Sequence, residues 1–174
     1  NEGKAPVYEP ELQERITQSK NHLTATTSYK EAIENSDVTL IIVPTPSEDN
    51  GGFSLTILQQ ALSEIGNVLR NKSDYHLVDI VSTVLPGSCE YGLQPILEKA
   101  SGKKCGESFG LCYNPEFIAL GSVIRNCLNP DFVLIGQSDD QAGTLLEQCY
   151  TSFCDNNPPI IRMNLLNAEL AKIS

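Results

Sequence analysis

The chain has 174 residues and a formal net charge of −10, with 40% hydrophobic and 20% charged residues. This length allows one domain with a sizeable core, and the composition is that of a globular protein. The acidic balance argues against binding nucleic acid through a broad basic face. The longest apolar run, 40-LIIV-43, is too short to cross a bilayer, and no basic, apolar-cored leader opens the chain. We therefore expect a cytoplasmic protein that binds neither nucleic acid nor membrane.

Six cysteines are scattered along the chain without a CxxC pair: Cys89, Cys105, Cys112, Cys127, Cys149 and Cys154. That spacing indicates neither a zinc site nor a dense disulfide framework, so we expect free thiols and no metal. None of them has a histidine close by in the sequence, so we expect no catalytic thiol in this chain.

Strand-like and helix-like segments alternate along the sequence. In chain order, the predicted elements are a helix over 9–19, a β-prone piece at 23–27, a helix over 29–36, a strand over 38–43, a helix with leucines from Leu55 to Leu69, a strand over 75–85, a helix over 89–100, strands over 109–113 and 132–136, a helix over 140–153, a short strand at 160–161 and a helix from about Leu165. The alternation predicts an α/β fold in which helices cover both faces of a parallel sheet.

Polar turns follow the three most apolar strands: 43-VPTPS-47, 82-STVLPGS-88 and 113-YNPEF-117. In open α/β sheets, ligands bind outside the carboxyl ends of the strands, which makes these turns the candidate site. Each turn also has a purely structural interpretation. The prolines can simply end a strand, and Glu116 can be an acid in the first turn of a helix, favoured there by the helix dipole. No GxGxxG or GxxxxGK[ST] phosphate loop is present.

Taken in order, these motifs resemble the UDP-glucose/GDP-mannose dehydrogenase family. The resemblance runs through 2-EGKAPVYEPEL-12, the turns 43-VPTPS-47 and 82-STVLPGS-88, 114-NPEFIALG-121, 129-NPDFVLIG-136 and 167-NAELAK-172. It implies a Rossmann-like, doubly wound, mostly parallel sheet that is truncated at its N-terminal strands. Residues 1–163 would form a partial NAD-binding domain, and residues 164–174 would begin the helix that links the family's two domains.

The resemblance also implies an activity. Members of this family use NAD to oxidise a nucleotide sugar at C6, in two steps through a thioester, and we expect the conversion of UDP-glucose to UDP-glucuronate. The alternatives are a UDP-N-acetylhexosamine or GDP-mannose 6-dehydrogenase, or a non-catalytic α/β binding module. The expected partners are a UDP-sugar substrate and further copies of the same protein, as a homodimer or a higher homo-oligomer.

Family members open with a strand and a GxGYxG loop, and they carry the catalytic cysteine in a C-terminal part. We expect this sequence to begin after the GxGYxG loop and to end before the catalytic cysteine. The chain alone should therefore be inactive. An exposed sheet edge at Leu40, Ile41 and Ile42 would follow, with poor anchoring of the residues up to about Ser36.

The resemblance assigns roles to matching positions. The residues that would line the cofactor are Val43, Pro44, Thr45, Pro46, Ser82, Thr83 and Val84. Those that would contact the substrate are Glu116, Phe117, Ile118, Ala119, Leu120 and Lys172. The catalytic residues would be Thr83, which holds a water, Glu116 as acid and base, and Lys172, which stabilises charge on the C6 oxygen.

Elementary chemistry agrees with two of these roles. A carboxylate flanked by Phe117 and Ile118 would have a pKa raised by desolvation, which suits a base that works near neutral pH. An ammonium such as that of Lys172 would stabilise an oxygen that gains negative charge. The sequence departs from the family at Leu120, where many relatives have an acid that contacts the cofactor.

Overall fold

The computed structural model describes residues 3–49 and 51–174, so Glu2 of the first motif and Asn50 of the loop 47–53 lie outside the described residues. Five strands form one sheet in the order β1-β2-β3-β4-β5. Their bounds are Val38–Ile41, His76–Ile80, Phe109–Tyr113, Val133–Gln137 and Ile160–Asn164. All neighbouring pairs are parallel except β3 and β4, which are antiparallel. The prediction of a mostly parallel α/β sheet is confirmed.

Seven α-helices accompany the sheet in the described residues. Their bounds are α1 Leu12–Gln18, α2 Tyr29–Glu34, α3 Thr56–Leu69, α4 Gln94–Ser101, α5 Val123–Leu128, α6 Asp140–Phe153 and α7 Leu165–Ile173. A π-helical turn over Ser88–Leu93 leads into α4. Among the described residues, none of the helices combines the length and the apolar character needed to cross a bilayer.

The hydrophobic core lies on both faces of the sheet. One cluster joins α3 and α4 to alternate strand residues, for example Leu62 and Leu97 with Val78. The other joins α6 to the opposite set, for example Leu146 with Leu77 and Cys112. This division follows from the period of two in a strand, which sends successive side chains to opposite faces.

Two glycines allow helices to approach the sheet closely. A Cβ at Gly136 of β4 would lie 2.7 Å from the Ala168 Cβ and 3.2 Å from the Leu165 Cα, both in α7. A Cβ at Gly110 of β3 would lie 2.6 Å from the Ala142 Cβ of α6. The distances of 2.7 and 2.6 Å are shorter than real carbon contacts allow. Only glycine at these two positions therefore permits the packing of α7 on β4 and of α6 on β3.

Two N-terminal predictions are wrong. Residues 23–27 form no strand, and they are exposed. They pair with no strand of the described sheet, in which β1 is an edge strand, and a strand needs such a partner for its backbone hydrogen bonds. The first helix begins at Leu12 rather than at residue 9, since Glu11 takes a left-handed conformation with φ of 66°. The carboxylate of Glu9 instead accepts hydrogen bonds from the backbone N–H groups of Gly121 and Val123, at 2.9 and 2.7 Å.

Helix α5, which the sequence analysis did not predict, begins at Val123. Strands β1 and β2 are shorter than predicted. The Ile41 carbonyl accepts from the N–H groups of both Val81 and Ser82, at 3.1 and 3.3 Å, which ends the regular pairing of the two strands. The chain can therefore turn away from the sheet directly after Ile41 and Ile80.

Strand β1 lies at the edge of the sheet, as the sequence led us to expect. Leu40 is 53% and Ile42 is 74% exposed, whereas Ile41 points into the core. From residue 3 to residue 37, Ile33 is the one buried side chain.

Candidate active site at the carboxyl ends of the strands

The turns after β1 and β2 are joined by side-chain hydrogen bonds. The Ser82 hydroxyl accepts from the Val43 N–H and donates to the Val43 carbonyl, both at 2.8 Å. The Thr45 hydroxyl donates to the Thr83 carbonyl at 2.8 Å. The two predicted turns therefore do lie side by side. We call the turns 43–47, 82–88 and 113–117 together the strand-end rim.

The cofactor-side residues of the rim differ in what they can offer a ligand. The Thr83 hydroxyl is half-buried and makes no hydrogen bond to another described residue, which leaves it available to a ligand. Ser82 uses its hydroxyl on Val43, and the Val84 side chain is fully buried in the core. Those two residues could touch a cofactor only through their backbone.

The third turn is tied to strands β2 and β4 through Asn114. Its N–H donates to the Ile80 carbonyl at 2.9 Å, and its side-chain Nδ2 donates to the Leu134 carbonyl at 2.7 Å. Glu116 is half-buried beyond it, and its Oε1 lies 3.1 Å from the hydroxyl of Tyr150 in α6. The Tyr150 hydroxyl also contacts the Asn114 Oδ1. Because Glu116 lies outside any described helix, the interpretation of it as a first-turn helix acid is wrong.

Lys172 reaches the same turn from α7. Its Nζ donates to the Glu116 carbonyl at 2.6 Å and lies 4.4 Å from the centre of the Phe117 ring, a cation–π contact. The Phe117 ring packs on Phe132 with 5.2 Å between centroids. Lys172 is thus bound to the backbone of the residue that carries the Glu116 carboxylate, at the carboxyl end of β3.

Burial raises the pKa of Glu116 above its ordinary value, while the Tyr150 hydrogen bond and the charge of Lys172 partly offset this shift. Both the direction and its cause, desolvation, agree with the sequence prediction. Phe117 and Ile118 are themselves 49% and 38% exposed.

The other predicted substrate contacts lie on an exposed loop. Ala119 is exposed and Leu120 is 96% exposed. Within the described part of the chain, no hydrogen bond or ring contact joins them to Glu116 or Lys172. The structure therefore groups Glu116, Phe117 and Lys172, and it leaves Leu120 outside that group.

The sequence analysis missed Glu169, which is fully buried in α7. Its two carboxylate oxygens accept from the N–H groups of Gly87 and Cys89, at 2.5 and 2.7 Å. The helix that carries Lys172 is thereby fixed to the turn that carries Thr83. The sequence offered a local indication of this role. A glutamate among the apolar residues of 165-LLNAELAKI-173 needs a hydrogen-bond partner if it is buried.

A second missed residue is Asp79, an acid within the apolar strand β2. It is fully buried, and neither of its carboxyl oxygens has a hydrogen-bond partner among the described residues. Burial, and then the charge of Glu116, raise its pKa well above the ordinary value. The run 77-LVDIV-81, with one acid among four aliphatic residues, was the sequence signal.

The cysteines are free in the structure. Cys89 and Cys112 are fully buried, and burial raises the pKa of both thiols. Among the described residues, no group of three or more His, Cys, Asp or Glu side chains is placed to hold a metal ion.

These features define an α/β domain of the dinucleotide-binding class, with its polar residues at the carboxyl ends of the strands. The family model described as "UDP-glucose/GDP-mannose dehydrogenase family, NAD binding domain" matches residues 1–154. The chain belongs to this family. NAD as the cofactor is confirmed, and the half-buried Thr83 hydroxyl beside the 43–47 turn fits a polar group of such a ligand.

Individual relatives extend this finding. The chain is 40% identical to GDP-mannose 6-dehydrogenase from Pseudomonas aeruginosa, over 99% of this chain and 39% of that protein. It is 34% identical to a UDP-glucose 6-dehydrogenase from Haloferax volcanii, over 99% of this chain and 40% of that protein. The chain thus spans about two fifths of the length of these relatives.

Solved structures show the same fold. A ternary complex of GDP-mannose dehydrogenase from Pseudomonas aeruginosa superimposes with a TM-score of 0.92 at 39% identity, over 98% of this chain and 39% of that chain. A UDP-glucose dehydrogenase from Pyrobaculum islandicum gives 0.88 at 32% identity, over 98% of this chain and 38% of that chain.

Proposed function

We propose that this chain supplies the cofactor side of the active site in an NAD-dependent nucleotide-sugar 6-dehydrogenase. The observation that carries the proposal is the meeting of Glu116 and Lys172 at the carboxyl end of β3, with the Lys172 Nζ 2.6 Å from the Glu116 carbonyl. A base and a cation are two of the groups that this oxidation requires of the protein at the reacting carbon, beside the thiol that forms the thioester.

In this proposal, Lys172 acts on the C6 oxygen of the sugar. NAD, when bound, accepts the hydride equivalents released from C6. The C6 oxygen gains negative charge in those steps, and a positioned ammonium stabilises that charge. Phe117 and the Glu116 carbonyl hold the Lys172 side chain at the edge of the site.

Glu116 serves the hydrolytic step of the proposal. A water attacks the thioester carbon at C6 and gives a proton to the Glu116 carboxylate, while the C–S bond breaks and its electron pair leaves with the sulfur as a thiolate. The Thr83 hydroxyl, which has no described partner, is available to hold that water. The cysteine that forms the thioester is expected outside this chain, because none of its six cysteines corresponds to the nucleophile of the family.

Two substrates have specific support. The sequence motifs led us to expect UDP-glucose. GDP-mannose becomes an equally strong candidate, because the relatives named GDP-mannose 6-dehydrogenase reach 40% identity, whereas those named UDP-glucose 6-dehydrogenase reach 34% and 32%. Residues 3–49 and 51–174 show no contact that distinguishes a guanine from a uracil nucleotide, so both substrates belong in the test.

The test uses the complete reading frame that encodes this chain. NADH is measured per sugar nucleotide consumed, with UDP-glucose and with GDP-mannose. Two NADH per molecule of either one supports the proposal and identifies the substrate. Tight NAD binding without NADH from either sugar, or from a UDP-N-acetylhexosamine offered next, would instead support the non-catalytic binding module.

A variant tests the role of Glu116. Glu116→Gln should accumulate a thioester that mass spectrometry detects on the protein, because the water then lacks its base. Glu14→Gln, on the exposed face of α1, is the matched control and should turn over normally. Full steady-state turnover by Glu116→Gln would remove this residue from the mechanism.

A further inference from the structure

The Tyr150 hydroxyl lies between two oxygen acceptors. It contacts both the Asn114 Oδ1 and the Glu116 Oε1, the latter at 3.1 Å. A tyrosine hydroxyl carries one hydrogen, so it can donate to one of these oxygens at a time. The second contact is a hydrogen bond only when a proton comes from elsewhere.

Asn114 cannot supply that proton in this geometry. Its Nδ2 donates to the Leu134 carbonyl at 2.7 Å, which leaves its Oδ1, an acceptor, facing Tyr150. Asn114 is 3% and Tyr150 is 6% exposed. Bulk water therefore has little access, and an unmatched acceptor here is costly.

Glu116 can supply the proton when it is protonated. In that state, its carboxyl group donates to the Tyr150 oxygen, and the Tyr150 hydroxyl donates to Asn114, so both contacts are hydrogen bonds. When Glu116 is ionised, Tyr150 donates to the carboxylate and the Asn114 Oδ1 loses its donor. Tyrosine and asparagine thus have opposite effects on the charged form of Glu116.

We propose that Tyr150 and Asn114 are positioning residues for Glu116, and that the Tyr150 hydroxyl turns from the ionised Glu116 carboxylate to the Asn114 Oδ1 when Glu116 takes up a proton. The inference rests on the proposed function of Glu116 as the base of the hydrolytic step. The proton that Glu116 removes from water then stays on the carboxyl group in a hydrogen bond to the Tyr150 oxygen.

Other charged and titratable groups also face Glu116. Lys172 of α7 favours its charged form, and burial opposes it. Asp79 of β2, Cys127 of α5 and Cys154 after α6 interact electrostatically with it. None of these groups hydrogen-bonds to the Tyr150 hydroxyl. Substitutions at Tyr150 and Asn114 therefore test the hydrogen bonds among Asn114, Tyr150 and Glu116 directly.

The experiment is a 13C NMR titration of the complete protein labelled at the glutamate side-chain carboxyl carbons, with Glu116 assigned by its absence in Glu116→Gln. Tyr150→Phe should raise the Glu116 pKa by about one unit, because the ionised form loses its donor. Asn114→Ala should lower it by a similar amount, because Tyr150 then donates to Glu116 alone. In the double variant, the pKa should equal that of Tyr150→Phe.

Tyr91→Phe is the matched control, since Tyr91 is 73% exposed, and it should leave the Glu116 pKa unchanged. An unchanged or lowered pKa in Tyr150→Phe would overturn the proposal, as would shifts of the same sign in both single variants. If the variants do not fold, a measurement on the unmodified protein tests the proposal instead. The Tyr150 Cζ resonance should titrate with the Glu116 midpoint, and its independence of that midpoint would overturn the proposal.

These readouts need no turnover. A protein that makes no NADH but shows the opposite shifts would therefore retain the hydrogen-bond network while losing the proposed function. A protein that makes two NADH with no shifts would keep the function and lose this inference.

Discussion

The strand-end rim and the N-terminal segment 3–37 are held in different ways. In the rim, buried polar groups have specific partners, such as Ser82 with Val43 and Glu169 with Gly87 and Cys89. In the N-terminal segment, Ile33 is the one buried residue, and helix α1 buries none. Its links to the rest of the chain include the hydrogen bonds of Glu9 with the N–H groups of Gly121 and Val123 and those of Lys72 with the carbonyls of Ile33 and Ser36. At the end of the segment, the Asp37 carbonyl accepts from the Leu77 N–H at 2.9 Å.

The strand-end rim and the N-terminal segment should therefore respond differently to substitution. A buried polar contact is costly to break because the partner that remains is left without water or another donor. An exposed contact is replaced by water at little cost. Substitutions in the rim should therefore have large effects, and substitutions in the N-terminal segment should have small ones.

The largest expected effect is on catalysis. Lys172→Ala in the complete protein should lower kcat by about 100-fold or more, because the charge on the C6 oxygen loses its ammonium. Lys99→Ala, on an exposed position of α4, should leave kcat unchanged. Steady-state kinetics with the identified sugar nucleotide measure both. Equal rates for the two variants would show that Lys172 has no part in the reaction.

The next effect is on stability. Glu169→Gln should lower the free energy of unfolding by about 2–3 kcal/mol, because its amide NH₂ must face the N–H of Gly87 or Cys89. Glu64→Gln, at an exposed position of α3, should change it by less than about 0.5 kcal/mol. Urea denaturation of both proteins gives the comparison. A Glu169→Gln protein as stable as the control would contradict the bidentate contact.

A third effect depends on pH. His76 in β2 is fully buried, with its Nε2 2.8 Å from the Thr39 hydroxyl, and burial, followed by the charge of Lys72, lowers its pKa from 6.5 to about 4. The unfolded chain therefore binds a proton that the folded chain excludes. The protonation of His76 leaves the free energy of unfolding unaffected above about pH 6.5. It lowers that free energy by about 1–3 kcal/mol as the pH drops toward 4.

His76→Gln should flatten this dependence between pH 6.5 and 4.5, which denaturation at several pH values measures. His22→Gln, in the exposed N-terminal segment, should retain it. If both variants keep the slope of the unmodified protein, other groups cause it.

The smallest effect is expected in the N-terminal segment. The Ser28 hydroxyl caps α2 by accepting from the Glu31 N–H at 3.2 Å. Ser28→Ala should cost about 0.5–1 kcal/mol of stability, since one exposed cap is lost. Thermal denaturation measures it, with Ser28→Asp as the variant that keeps a capping oxygen. A loss as large as that of Glu169→Gln would remove the distinction between the two regions.

Much of the fold was predictable because local patterns agreed with tertiary packing. The strand 109–113 and the helix 140–153 are confirmed at their predicted bounds. The piece 23–27 had strand-like residues and became no strand, because a strand requires a hydrogen-bond partner that residue composition does not reveal. Helix α5 escaped prediction since its six residues carry no strong period, and Glu9, far away in sequence, caps it.

The site was predictable only in part for a related reason. The turns with Thr45, Thr83 and Glu116 could be found because each follows an apolar strand. Tyr150 carries no local signal, since its hydroxyl matters only through the packing of α6 on the sheet.

Sequence patterns were enough to predict the alternation of strands and helices and the three turns at the strand ends, because these depend on periodicity and on residue types over short distances. The order of the motifs led to the family, and the family resemblance led to the edge position of β1. Only the tertiary packing decided that Glu116 lies between Tyr150 and Lys172 and that Glu169 holds the Thr83 turn. It also buries Asp79 with no hydrogen-bond partner among the described residues. Those contacts join residues more than thirty positions apart, and their energies come from burial, which only the packed chain creates.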